Sequence, residues 1–373
     1  MSKILILGAG ASYGHGLFGK PSPPLINNFF TENTIKIFSS SYTPLFDHLK
    51  NINHSGDLEQ IFGTLDSYSS LLPLRNRRTN IARYGHEFEY CIPIDFLRAY
   101  TIDVIVFHTL WLNKGETCPY HNYLANNWLE KNDLSISFNY DLIFDSSLKK
   151  SGLWHESTGY GRPIRLFDNN EYENSKVMLL KPHGSLNWER FINPQIEGIQ
   201  KDSFIAKEAF TIEVFSLNKT FDKYKEIPEY ITSWIETIKS STLPQDDFRR
   251  ELFCFREDSM DGVPYPCIIM PTPLKPLSQF RYGIMKDIWP RIEDKLLNAD
   301  ELLSIGFSWR DTHFNSLVLS VINQRKKQIN ISIVGNEQTF QDTNTLFSKI
   351  NSTKVSLKHI GNTFKEIIIN KLI

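Results

Sequence analysis

Ile4-Leu5-Ile6-Leu7-Gly8-Ala9-Gly10-Ala11-Ser12 is the stretch that decides how this chain folds. Four consecutive apolar residues with no polar alternation predict a strand buried on both faces. The glycines follow at once, and a helix is expected to open near Ala11. A buried strand that ends in glycines and opens a helix aims unpaired backbone N–H groups at one spot, a cradle for phosphate or pyrophosphate. On this reading the glycines are there because a Cβ would hold a ligand off the backbone. A tight turn without a ligand would use the same residues.

Outward from this turn, Lys20-Pro21-Ser22-Pro23-Pro24 breaks regular structure, and residues from about 25 to 131 read as mainly helical. Asp57-Leu58-Glu59-Gln60-Ile61-Phe62 opens with an N-cap residue and an acidic first turn, and 93–112 and 119–131 also have helical length. The α/β pattern resumes at Leu134-Ser135-Ile136-Ser137-Phe138, followed by a helix through Ile143, Phe144 and Leu148. Val177-Met178-Leu179-Leu180 predicts another strand. A second insertion fills 190–262, with a helix at about 224–240, before the strand Cys267-Ile268-Ile269-Met270 ends at Pro271. Beyond it come a helix with Ile284, Ile288, Ile292 and Leu296 on one face, strand Glu301–Ile305, and a helix near 312–323. Strand Ile329–Val334, a helix near 338–349 and a final strand at 354–358 complete the pattern. Alternation of this kind predicts one α/β domain over 1–373, a mostly parallel sheet flanked by helices. It would carry a large helical insertion at about 21–132 and a smaller one at about 190–264.

Ligands of open parallel sheets sit at the carboxyl ends of the strands. Past the successive strands come Gly8–Ser12, Asn139-Tyr140-Asp141, Lys181-Pro182-His183-Gly184-Ser185-Leu186-Asn187-Trp188, Gly306-Phe307-Ser308 and Gly335-Asn336-Glu337. Asn139 and Asp141 read equally as turn and cap residues, and His183 as a structural histidine. What speaks for function is that the topology brings all of them to one edge.

Two common nucleotide motifs fit less well. G-x-G-x-x-G fails at Tyr13, and no acidic residue ends a second strand some twenty residues on. Gly14 to Lys20 matches G-x-x-x-x-G-K, but Pro21 stands where the metal-binding hydroxyl belongs. A formal net charge of −1, with 41% apolar and 22% charged residues, gives no global field toward nucleic acid or membranes. The short basic candidates, Arg75-Asn76-Arg77-Arg78 and Arg325-Lys326-Lys327, read as solvated faces. Cys91, Cys118, Cys254 and Cys267 form no C-x-x-C pair, so they read as reduced thiols of a cytoplasmic protein, with no zinc module. The first apolar run is too short for a signal peptide, and Ile94–Leu112 carries Asp95, Arg98 and Asp103, so it reads as a buried helix and no membrane span is expected.

As an ordered set, these motifs resemble the sirtuin-like superfamily. Gly8–Ser12 resembles its GAGAS loop, Ser137–Asp141 its T-Q-N-[IV]-D segment, Lys181–Ser185 the strand end bearing its histidine, and Gly306–Ser308 its late G-[TS]-S element. Residues 183–188 and 306–311, ending at Asp311, are similar to the bacterial antiphage-defence branch, with motifs H-G-S-L-N-W and G-F/Y-S-x-x-D. Phe138 stands where deacylating sirtuins carry glutamine, and the zinc ribbon is absent.

The resemblance implies a Rossmann-like fold with NAD⁺ as substrate and no metal. It implies hydrolysis of the N-glycosidic bond, with Asn139 orienting water or ribose hydroxyls and His183 accepting a proton. Gly8, Ala9, Gly10, Ala11 and Ser12 would meet the pyrophosphate and nicotinamide ribose. Asp141 would buttress Asn139 or the nicotinamide amide, while Gly306, Ser308 and Asn336 would hold the adenosine half. It also implies a gated defence effector, a homo-oligomer or the partner of a HerA-like ATPase or an Argonaute-type protein. Protein deacylation, or nucleotide sensing without chemistry, are the other readings.

Overall fold

The structure is a computed structural model. It describes residues 2–13, scattered positions between 24 and 63 and between 101 and 105, then 117–161, 165–166, 174–191, 203–206, 265–269 and 283–370. Its strands are β1 (Lys3–Leu7), β2 (Leu134–Ser137), β3 (Arg165–Leu166), β4 (Met178–Leu180) and β5 (Gly184–Phe191). They continue with β6 (Ser203–Ala206), β7 (Tyr265–Ile268), β8 (Glu301–Ile305), β9 (Ile329–Val334) and β10 (Val355–Gly361).

Six strands form the main sheet in the order β10-β9-β8-β1-β2-β4, and every pairing in it is parallel. Ile4, Leu5 and Ile6 are fully buried, as a central strand covered on both faces requires. Strand order reverses at β1: β2 and β4 lie on one side, β8 to β10 on the other. The carboxyl ends of β1, β2 and β8 therefore border the switch-point crevice.

The covering helices begin where capping chemistry places them. Asp311 caps Thr312–Gln324, whose buried Phe314, Val318, Val321 and Ile322 recur at helical spacing. Asn336 caps Glu337–Phe347, and Thr363 caps Phe364–Ile369. The N-cap expected at Asp57 forms, its Oδ1 accepting from Gln60 N–H at 3.1 Å. Ile288, Ile292 and Leu296 of Gly283–Asn298 are buried together, as expected, while the side chain of Ile284 lies outside the described residues. The helix expected over 119–131 is α-helical from Pro119 to Tyr123 and then widens into a π-helical turn, Leu124–Trp128.

Three expectations change. The strand ending near Met270 does not join the parallel sheet: β7 pairs antiparallel with β5 in a second sheet of order β3-β6-β5-β7. The motif after Leu180 is a turn only as far as His183, since Gly184–Phe191 is itself strand. Arg325 is also not on a solvated face. It is buried, and its guanidinium donates to the carbonyls of Leu296 and Ala299 at the end of the preceding helix. The run Arg75–Arg78, the helix at 224–240, and most of both insertions lie outside the described residues; Thr101, Val104 and Ile105 are buried and helical. Among the described residues no helix is long and apolar enough to cross a membrane.

Candidate functional site

The turns after β1 and β8 cross backbone against backbone. A Cβ on Gly8 would lie 2.5 Å from Gly306 O, and one on Gly10 2.8 Å from Gly306 Cα. Gly306 itself has φ +60°, and its Cβ would stand 2.3 Å from Ala11 N. The crossing by itself demands these glycines, whatever meets the other side of the turn. The amides of the turn are less open than the expected cradle of unpaired N–H groups. Gly8 N–H donates to Ile305 O (3.0 Å), Gly10 N–H to Gly306 O (3.0 Å) and Ala11 N–H to Gly8 O (2.9 Å). Ala9 is exposed, and among the described residues no acceptor meets its N–H.

Side chains from β1 and β2 join where the strands end. Asn139 Nδ2 donates to Gly8 O at 2.9 Å and to Ser12 Oγ at 2.7 Å. Gly8 O can only accept, so the amide orientation is forced and Oδ1 faces the other way. Ser12 Oγ passes the chain on, donating to Asp141 Oδ2 at 2.7 Å. Asp141 Oδ1 accepts from Ile143 N–H at 3.0 Å, the Asx turn that leads into helix Ile143–Lys150. The turn reading of Asp141 is therefore realised, while its second oxygen is held by Ser12. Burial pushes its carboxyl above the usual range, against the nearby Lys181 charge and the hydrogen bonds it accepts.

Beneath this turn lies a network that sequence reasoning did not find. Lys181, fully buried, donates to Asp141 O at 2.6 Å and to Asp145 Oδ2 at 3.2 Å. Tyr160 OH donates to Asp145 Oδ1 at 2.5 Å. The signal available was a lysine directly after an apolar strand.

His183 comes to the same edge. Its ring meets Phe138 edge-on, with centroids 5.0 Å apart, and lies 6.4 Å from Tyr140, so it stands beside both neighbours of Asn139. Its Nε2 lies 2.8 Å from Asp311 Oδ2, a contact sequence reasoning did not anticipate although it quoted Asp311. The second sheet holds this arrangement in place. Ile269 N–H donates to His183 O (2.7 Å), and Tyr140 OH donates to Ile269 O (2.6 Å). Phe138 stacks on Phe307 at 4.3 Å, joining the ends of β2 and β8.

The remaining residues lie on the β8–β9 side. Gly306 N–H donates to Val334 O (2.9 Å), and Ser308 is exposed. Asn336 is exposed, and its Oδ1 is used as a helix cap, accepting from Thr339 N–H at 2.8 Å. Contacts among Gly8, Gly10, Ala11, Ser12, Asn139, Asp141 and Gly306 are direct; none ties Ser308 or Asn336 to them among the described residues. Among those residues, no group of three or more His, Cys, Asp or Glu could hold a metal ion.

No family model matches the chain, and no curated protein matches it. Among solved structures it is similar to Sir2Tm bound to a propionylated peptide, at 11% identity over 100% of this chain and 94% of that one, with a TM-score of 0.39. A Sir2 complex with p53 peptide and NAD⁺ gives 10% identity over 100% and 93%, with a TM-score of 0.38. A sirtuin structure concerned with substrate affinity gives 13% over 99% and 92%, also at 0.38.

Proposed function

We propose that this chain hydrolyses the N-glycosidic bond of NAD⁺: NAD⁺ and water give nicotinamide, ADP-ribose and a proton. The observation that carries the reading is the pinned amide of Asn139, whose nitrogen is spent on Gly8 O and Ser12 Oγ while His183 stands beside its two neighbours. An amide oxygen held in one direction, at a sheet edge that also carries an imidazole, suits a reaction that must orient one water and take one proton from it.

The chemistry asks for little else. The electron pair of the breaking bond goes to the pyridinium nitrogen, so nicotinamide leaves neutral and needs no general acid. The incoming water bonds to the anomeric carbon, and its proton goes to His183. Asn139 Oδ1 orients that water or the ribose hydroxyls. The exposed Ala9, with its available N–H, suits a pyrophosphate oxygen better than the committed amides of Gly8, Gly10 and Ala11. Ser12 and Asp141 act by holding Asn139. Gly306, Ser308 and Asn336 serve the adenosine half, Asn336 through its amide nitrogen, since its oxygen caps a helix. On the motif resemblance, the enzyme is a gated defence effector, controlled by assembly or by a partner.

Purified chain and its Asn139→Ala variant, incubated with NAD⁺ and followed by chromatography, test this. Nicotinamide and ADP-ribose should form with the wild type and fall ~100-fold or more in the variant. Equal turnover by Asn139→Ala would remove the assigned role. Turnover only with an acyl-lysine peptide would make the chain a deacylase, and no NAD⁺ binding by calorimetry would end the reading.

A further inference from the structure

We propose that Asp311 is a positioning residue for His183: it fixes the proton on Nε2 and so makes Nδ1 the basic nitrogen. The proposal deepens the NAD⁺ hydrolase reading and rests on it for the role of His183.

Asp311 ends the turn after β8 and caps the thirteen-residue helix Thr312–Gln324. Its Oδ1 accepts from the N–H groups of His313 and Phe314, both at 3.0 Å. These amides and the positive end of the helix favour the ionised carboxylate. The second oxygen is turned away from the helix, toward His183 Nε2 at 2.8 Å, across 128 residues of chain. Both side chains are largely shielded, at 4% and 13% exposure, so water competes little for the contact.

The tautomer follows from what each atom can do. An ionised carboxylate only accepts, so the nitrogen facing it must carry hydrogen. A neutral imidazole has a single N–H, which leaves Nδ1 as the nitrogen able to take a proton. Capping alone would not ask for aspartate here, because Asn or Ser caps a helix as well. Only a carboxylate can accept from two helix amides with one oxygen and from an imidazole with the other. The edge-on contact with Phe138 limits rotation of the ring away from this pairing. A base whose tautomer is set by a third group has the logic of an Asp-oriented histidine.

The variant Asp311→Asn separates this role from capping. Its amide oxygen keeps the two helix amides, while an NH₂ replaces Oδ2 opposite Nε2. Two donors cannot pair, so His183 must move its proton to Nδ1. The full chain is labelled with ¹⁵N-histidine, and His183 is assigned among the ten histidines by its loss in His183→Gln. The wild type should show a protonated Nε2 and a bare Nδ1, and Asp311→Asn the reverse. NAD⁺ turnover should fall at least ~100-fold, with KM nearly constant and the urea midpoint unchanged. A bare Nε2 in the wild type, the same pattern in both proteins, or a reversal with unchanged turnover would each overturn the proposal. If the wild type binds no NAD⁺ by calorimetry, the hydrolase reading fails, and the ¹⁵N pattern still decides the pairing.

Discussion

Replacing Lys181 by methionine removes a charge while keeping most of the side chain's length, and the surroundings set the cost. Lys181 is 0% exposed and Asp145 1%, so neither partner can turn to water when the other is lost. Removing one member of a buried ion pair costs about 3–5 kcal/mol, because the remaining charge stays desolvated. Asp145 retains only the Tyr160 hydroxyl among the contacts described, and Asp141 O loses its 2.6 Å donor. A domain is usually stable by about 5–15 kcal/mol, so this loss is a large share and should appear as a clear drop in urea midpoint. The double variant Lys181→Met/Asp145→Leu removes both charges and should recover about 2 kcal/mol or more relative to the sum of the single losses. Because Lys181 also holds the carbonyl of Asp141, Lys181→Met should loosen the turn that carries Asn139 and weaken NAD⁺ binding. A single-variant loss under ~1 kcal/mol, or strict additivity in the cycle, would refute the reasoning.

Gly306→Ala should cost about 2–4 kcal/mol, combining the left-handed backbone with contact against Ala11 N. Gly152→Ala is its control, with φ +69° and nothing within 4 Å of the new Cβ, and should cost only about 1 kcal/mol. Equal urea midpoints for the two would dismiss the interlocked turns. The carboxyl of Asp141 predicts a pH trend. Burial raises its folded value above 3.8, so folding favours the protonated form. Its contribution is therefore most favourable at low pH and is lost as pH rises through the raised folded value. The stability difference, wild type minus Asp141→Asn, should fall as pH rises from about 4. A difference that grew with pH would show the sign to be wrong.

Legibility in the sequence followed the range of the interactions involved. The central strand β1 was readable because it is a continuous apolar run covered on both faces, and β9 and β10 because apolar residues alternate along them toward the sheet edge. The cap at Asp57 was readable because a cap acts within three residues of itself, whereas Asn336, read as an adenosine contact, proved to cap a helix. The pairings that organise the site span much greater separations. Lys181 reaches back 36 residues to Asp145, and His183 forward 128 to Asp311, with no local pattern to mark either. The crossing at the glycine turn was hidden for a related reason: which backbone passes Gly8 depends on β8 pairing with β1, some 300 residues later.

The second sheet was hidden differently. Ser185, Leu186 and Trp188 are all buried, yet the stretch lacks the even alternation that marks a half-buried strand. Its irregular register against β7, between Ser185 and Glu189, accounts for that break in pattern. The irregularity has a consequence for the site. Gly184, with φ +86°, lets the chain leave the His183 turn and enter β5 at once, so the histidine is held at the very start of a strand. Ile269, immediately after β7, then bonds His183 through its N–H and Tyr140 through its carbonyl. Asn139 and His183 thus depend on different sheets: the parallel sheet aims the first, and the antiparallel sheet ties the second to Ile269. A substitution that loosened β7 from β5 would therefore release His183 and Tyr140 from Ile269 while leaving the parallel sheet, and the fold built on it, intact.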